Sequence, residues 1–435
     1  MYLPFLAWFK TVGAAVLAAT MLSSQASAAE GTINSGDTAW VLTAIPLVLL
    51  MTLPGLALFY AGLVQAKNAV SVLMQHFAVA ALMSLLWVIG GYSLAFSGDG
   101  QWVGDFGKLF MANVTVDAMF GSIPESVFAA FQMTFAIITP ALIIGAYVER
   151  MKFSAILVFS ALWLLAVYAP FTHWVWGGGI LAEWGVMDFA GGIVVHATAG
   201  SAALVCALVV GKRQAFPRSV QPPHSPILTM VGASMLWVGW FGFNGGSALG
   251  AGSGAGMAIL VTHIAAATAS LVWMVIEWAR FGRPSLVGIV TGMVAGLATV
   301  TPASGYVGVP GGLILGFAGG ISCYIGVELV RVRMRIDDSL DVFAVHGVGG
   351  IVGSLLVAYL ALPAFGGLGL ADGSSAGGQF MIQLSAVVMT VIWTLIASYV
   401  ILKIAAALVG LRVAQQDEIE ELDLSQHGER GYHSN

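Results

Sequence analysis

Asp188-Phe189-Ala190-Gly191-Gly192-Ile193-Val194-Val195-His196 and Asp338-Ser339-Leu340-Asp341-Val342-Phe343-Ala344-Val345-His346 are the two stretches whose reading decides the fold. Each starts on an aspartate, reaches a histidine eight residues later inside an apolar run, and continues to a glycine, Gly200 or Gly350. Aspartate, valine, histidine and glycine are all displaced by the same 150 residues. Eight helical residues rise ~12 Å. Two such segments entering a ~30 Å apolar layer from opposite faces bring both histidines near its middle.

That layer is a lipid bilayer. Of 435 residues, 59% are hydrophobic and 9% are charged, against roughly 25% charged in a soluble domain. So few charges cannot solvate the surface of a soluble fold of this length. Ahead of the spans, Lys10, the apolar run Val12 to Leu22 and the Ala26-Ser27-Ala28 pattern read as a secretory signal peptide cleaved after Ala28. A short first membrane helix is the other reading of that run. Eleven apolar segments follow, roughly at 39–64, 70–97, 125–148, 153–173, 190–211, 226–248, 254–278, 284–301, 310–330, 341–362 and 379–408, the fourth and eighth being short. The chain therefore divides into a signal peptide at 1–28, a membrane domain at 29–409 and a tail at 410–435. Cys206 and Cys323 both lie in apolar runs, which predicts packed thiols rather than a disulfide or a metal site.

The net charge of -5 says little, but the placement of the basic residues says much. Connections after odd-numbered segments carry Lys67, then Arg150 and Lys152, then Lys212, Arg213 and Arg218, then Arg280 and Arg283, then Arg331, Arg333 and Arg335. The C-terminal end adds Lys403, Arg412 and Arg430, whereas connections after even-numbered segments carry only Lys108. Positive charge marks the cytoplasmic side, so the mature N-terminus is outside and the C-terminus inside. The fold class expected is an all-α polytopic membrane protein of eleven helices: two inverted five-helix repeats plus a final helix. Inverted repeats with a site at their midplane interface are a transporter architecture.

His196 and His346 are the leading candidates for chemistry. An ionisable side chain at membrane depth costs at least ~2.5–3.5 kcal/mol when charged, and it usually faces a cavity or a partner. The plainer reading is a pair of neutral rings bonding neighbouring helices. His76 and His263 have no symmetric counterpart and read as structural. A metal at the pair would need further ligands, and no Cys, Asp or Glu supplies them at helical spacing. Phe131 and Phe135 share a helix face, as do Phe243 and Ser247, and Trp176 precedes Gly177-Gly178-Gly179. Such aromatic stripes are usually packing, but a ring face also attracts a desolvated cation by ~2 kcal/mol.

These residues resemble the ammonium transporters of the Amt/Mep/Rh superfamily, most closely the bacterial Amt branch. The resemblance covers essentially the whole mature chain. It is carried by Asp188 to His196, by Asp341-Val342-Phe343-Ala344-Val345-His346-Gly347, by Trp240-Phe241-Gly242-Phe243-Asn244-Gly245-Gly246-Ser247-Ala248 and by Trp176-Gly177-Gly178-Gly179. It implies a homotrimer with one pore per subunit in the bacterial inner membrane. Trp176, Phe135 and Ser247 are then the outer ammonium-binding site, and Phe131 and Phe243 a stacked gate beneath it. His196 and His346 are the paired pore histidines, and Asp188 is a buried vestibule aspartate that acts mainly as a helix cap. Leu411-Arg412-Val413 and Ser425-Gln426-His427-Gly428-Glu429 resemble a cytoplasmic tail that couples subunits and takes part in regulation by PII signal proteins.

The function so implied is transport of ammonium or ammonia, with methylammonium as an analogue, and not an enzymatic reaction. It calls for no cofactor and no nucleic-acid partner, only membrane lipid around the spans. A bare NH4+ in a low-dielectric pore would cost tens of kcal/mol by Born estimate. The expected mechanism is therefore recruitment of NH4+, loss of its proton near the histidines and passage of NH3. Two other classes stand beside it. One is an ammonium sensor of the same fold with little flux, against which counts the lack of a kinase- or cyclase-sized domain after the last span. The other is a membrane enzyme holding haem or a metal on the histidine pair.

Overall fold

The computed structural model describes residues 32–219 and 221–432, so the expected signal peptide at 1–28 lies outside the described residues. Among the described residues, eleven helices are long and apolar enough to cross a membrane, numbered here as spans 1 to 11: Ser35–Leu63, Ala66–Phe96, Glu125–Tyr147, Phe153–Glu183, Gly192–Val210, Pro226–Gly245, Ser253–Phe281, Leu286–Ala303, Val309–Arg333, Phe343–Leu360 and Ala376–Val409. The fourth is not short. Its helix runs past residue 173 to Trp176, breaks at Gly177–Gly179 with Gly178 at φ +86, and adds one turn over Ile180–Glu183. The eighth is short, at 18 residues, as is the tenth. Both cysteines are buried free thiols.

The two halves pack alike. Span 1 lies against span 3 and span 6 against span 8, while span 3 lies against span 5 and span 8 against span 10. Spans 5 and 10 then cross each other, and span 11 braces both. This is the inverted five-helix repeat with a final helix that the 150-residue offset implies.

Glycine sets the closeness of that crossing. A Cβ on Gly200 would stand 2.3 Å from the Gly347 Cα, and one on Gly350 would stand 2.6 Å from the His196 Cβ. Small residues at such points let backbones touch in lipid, where the hydrophobic effect does not drive helices together. Both crossing spans begin in π-helical turns, Gly192–Ala197 and Phe343–Gly347, and each turn carries its histidine.

The inner face is tied by Arg150, which is 0% exposed. Its guanidinium donates to the carbonyls of Gly211, Val148, Ala146 and Asp337 and to the Ser339 hydroxyl, at 2.6–3.3 Å. Arg213 bridges Glu149 and Asp337, each at 2.8 Å. The tail is docked rather than loose. Lys152 donates its N–H to the Leu411 carbonyl at 2.8 Å, and Arg412 pairs with Glu418 at 2.7 Å. Asp423 accepts the N–H groups of Val70 and Ser71 at the start of span 2, at 3.1 and 2.7 Å.

The packing makes a direct prediction. Gly200→Val should abolish the monodisperse folded protein in detergent, because two backbones would have to part. Gly256→Ala, where a Cβ meets nothing within 4 Å, should leave the melting temperature unchanged or slightly raised. Size-exclusion profiles and thermal unfolding of the two variants check this.

Candidate functional site: a histidine pair beneath stacked aromatic rings

Span 5 starts buried inside the protein, and its first N–H groups have no helical partner. Asp188 supplies one. Its carboxylate accepts from Gly191, Gly192, Ile193 and Val194 at 3.0, 2.6, 2.9 and 3.0 Å. Gly191 makes the turn at φ +115. With both oxygens committed to the backbone, Asp188 holds the half-helix in place and leaves little capacity to grip an ion. Asp338 does the same for span 10 less completely. It accepts from Phe343 at 2.7 Å through one oxygen, while the other is buried without a partner.

The two half-helices bring His196 and His346 face to face, with ring centroids 5.3 Å apart and planes at 22°. Their Nδ1 atoms are 3.3 Å apart, and the rings are 1% and 3% exposed. Two ring nitrogens at hydrogen-bond distance share one proton, so one Nδ1 donates and the other accepts. His196 Nε2 is buried with no protein partner. His346 lines a cavity of about 720 Å³ that opens on the arginine-rich side, together with Tyr60, Asp341, Arg213 and Glu149.

On the other side, aromatic rings pack over the pair. Phe135 stacks on Phe243 at 4.2 Å and 30°, and Phe243 lies 6.1 Å from His196 at 25°. Trp176 meets Phe135 edge-on at 5.8 Å and donates its indole N–H to the Asp188 carbonyl at 2.8 Å. Ser247 donates its hydroxyl to the Phe243 carbonyl at 2.8 Å, which leaves its oxygen lone pairs free to accept. The resemblance names Phe131 as the ring stacked with Phe243; the ring lying on Phe243 is Phe135. Phe131 sits edge-on to Phe135 at 5.1 Å and against Gly246. The reason is direction. Span 3 runs inward from Glu125, so Phe135 lies one turn, ~6 Å, deeper than Phe131.

Trp240 escaped notice as a site residue. It stacks on His196 at 5.5 Å and 24°. Its signal was in the sequence, three residues before Phe243 and so on the same helix face. Tyr60 and Asp341 on the inner cavity carry no comparable pattern. His76 is buried and bonds the Val72 carbonyl through Nδ1 at 2.8 Å, and His263 lies beside Trp237 and Phe241. Neither lines the inner cavity or joins the rings around the histidine pair. Among the described residues, no group of three or more His, Cys, Asp or Glu comes together as a metal site.

Eleven spans among the described residues, two of them capped by aspartate and crossing at a histidine pair under stacked rings, define a membrane transport fold. The profile of the Ammonium Transporter Family matches residues 39–432, and the chain belongs to that family. It is 44% identical to an ammonium transporter of Aquifex aeolicus over 95% of this chain and 97% of that protein. It is also 44% identical to the ammonium transporter Amt1 of Archaeoglobus fulgidus, over 92% and 100%. Among solved structures, Mep2 of Saccharomyces cerevisiae superposes with a TM-score of 0.80 at 34% identity, covering 89% of this chain and 92% of that one. A structure described as a sensor Amt protein superposes at 0.84 and 30% identity, covering 90% and 98%.

Burial, and then the neighbouring Asp341, push the Asp338 carboxyl up to about 7 from an ordinary 3.8. Between those values the folded chain holds a proton that the unfolded chain has lost. The contribution of this group to stability is therefore complete below the ordinary value and is lost as pH rises through about 7. Thermal unfolding in detergent should give a higher melting temperature at pH 5.5 than at pH 8, and Asp338→Asn should shrink that difference.

Proposed function

We propose that this chain moves ammonium inward by separating its proton from its amine at the histidine pair. Recruitment takes place at Trp176 and Phe131 with Ser247, where ring faces and a hydroxyl acceptor replace part of the hydration shell. Phe135 and Phe243 then form the closed gate. This exchanges the roles that the resemblance gave to Phe131 and Phe135, and the 4.2 Å stack supports the exchange.

Below the gate, the observation that carries the reading is the 3.3 Å contact between the two Nδ1 atoms. When His196 donates through Nδ1, its Nε2 holds a lone pair and His346 carries its own proton on Nε2. A proton leaving NH4+ bonds to His196 Nε2, the Nδ1 proton passes to His346, and His346 releases its Nε2 proton toward the inner cavity. NH3 crosses as a neutral molecule, which avoids the Born cost of a bare ion. K+ and Na+ have no proton to lose, so the same path excludes them. Asp188 supports the half-helix and does not bind the ion.

The assembly is a homotrimer in a bacterial inner membrane, with methylammonium accepted as an analogue. The docked tail at 410–432 offers a cytoplasmic PII-type protein a surface continuous with the inner mouth. That surface also favours a second reading, an ammonium sensor with little flux, whose output would be tail position. Methylammonium uptake into proteoliposomes separates the two, since a sensor takes up almost none.

Two outcomes test the pore. His196→Ala and His346→Ala, singly and together, should lower uptake at least tenfold or admit K+; wild-type uptake with K+ still excluded would end the proton-separation reading. Phe135→Ala should raise leak of larger amines, while Phe131→Ala should mainly raise the half-saturating concentration. The reverse pattern would return the gate to Phe131.

A further inference from the structure

His196 and His346 are related by the repeat, yet their surroundings differ. His346 meets no aromatic ring other than His196 among the described residues. His196 has two further rings, Phe243 at 6.1 Å and Trp240 at 5.5 Å, both close to parallel with it. Of these, only Trp240 lies within the ~6 Å over which a ring face attracts a cation, and indole is the strongest such face.

The Trp240 ring is itself fixed. It is fully buried, and its indole N–H donates to Thr301 Oγ1 at 2.9 Å. Thr301 in turn donates to the Leu297 carbonyl at 2.8 Å, so its lone pair is aimed at the indole. The next residue, Pro302, accepts the Phe189 N–H at 3.0 Å and backs Gly192, where a Cβ would stand 2.4 Å from its ring. The last turn of span 8 therefore holds both the start of span 5 and the ring stacked on His196.

We propose that Trp240 is a positioning residue for the pair: locked by Thr301, its face fixes the plane of His196 and stabilises that ring whenever it carries the proton taken from ammonium. This rests on the proton-separation reading above. The electron-rich face of the indole contributes more to the imidazolium than to the neutral ring, so it lowers the energy of the charged intermediate at the outer histidine and leaves the inner one unassisted. The proton is thus accepted on the outer ring and passes to a ring with less to hold it.

The test is initial uptake of methylammonium by proteoliposomes holding the full chain. Trp240→Leu should lower maximal uptake by about tenfold with an unchanged half-saturating concentration, because the outer site is untouched. Trp240→Phe should fall between leucine and wild type, and Thr301→Val should lose part of the rate. Tetrafluorotryptophan placed at 240 by nonsense suppression keeps the shape and weakens the negative face, so it should lower the rate as leucine does even if the leucine variant does not fold. A wild-type rate in the fluorinated protein, or a change confined to the half-saturating concentration, would overturn the assignment. If His196→Ala also kept the wild-type rate, the proton-separation reading would be at fault. A strong His196→Ala effect beside a silent Trp240 series would sink the Trp240 role alone.

Discussion

Everything at the centre of this protein depends on two helix backbones touching. Gly200, Gly347 and Gly350 let spans 5 and 10 cross with no side chain between them, and a single methyl at Gly200 would come within 2.3 Å of the opposing Cα. At that separation two imidazoles from different helices reach each other through Nδ1. The neighbouring helices serve to hold this crossing. Span 11 braces both partners, and spans 3 and 8 lie against their outer sides in matching fashion. In lipid, such contact is favoured by close packing and hydrogen bonding, because the surrounding tails are as apolar as leucine.

The second constraint is that both crossing helices start inside the protein. A helix beginning there leaves N–H groups that water cannot reach, each costing free energy if unpaired. Asp188 meets four of them and Asp338 meets fewer. The difference follows position. The outer cap sits beneath Trp176 and is fully used, whereas the inner cap belongs to a polar cluster with Asp337, Arg150 and Arg213. That cluster is also where the tail attaches, through Arg412, Glu418 and the 210–214 connection.

Much of this was legible in the sequence. The number of spans follows from apolar length, the orientation from Lys and Arg, and the inverted repeat from one offset shared by Asp188, His196, Asp338 and His346. Cys206 and Cys323 read correctly as packed thiols. What escaped depends on depth and on contacts between distant helices. Phe131 and Phe135 share a face, and only the direction of span 3 says which lies deeper. The extension of span 4 past residue 173 hid behind the glycine run at 177–179, which breaks the apolar pattern without ending the fold of the segment. Arg150 looked like one basic residue among several; its burial beneath five acceptors belongs to three separate stretches of chain.

The wide turns that carry the histidines have a consequence for how such a pore can change. A π-helical turn holds one residue more than the α-helical turn it replaces. The extra residue is taken up within the turn, so the α-helix beyond it can keep its face. Adding or removing one residue at 192–197 or 343–347 would therefore swing a different side chain into the path. The aspartate caps would not need rebuilding. The scaffold and the chemistry of its channel are, in that sense, set by different parts of the same helix.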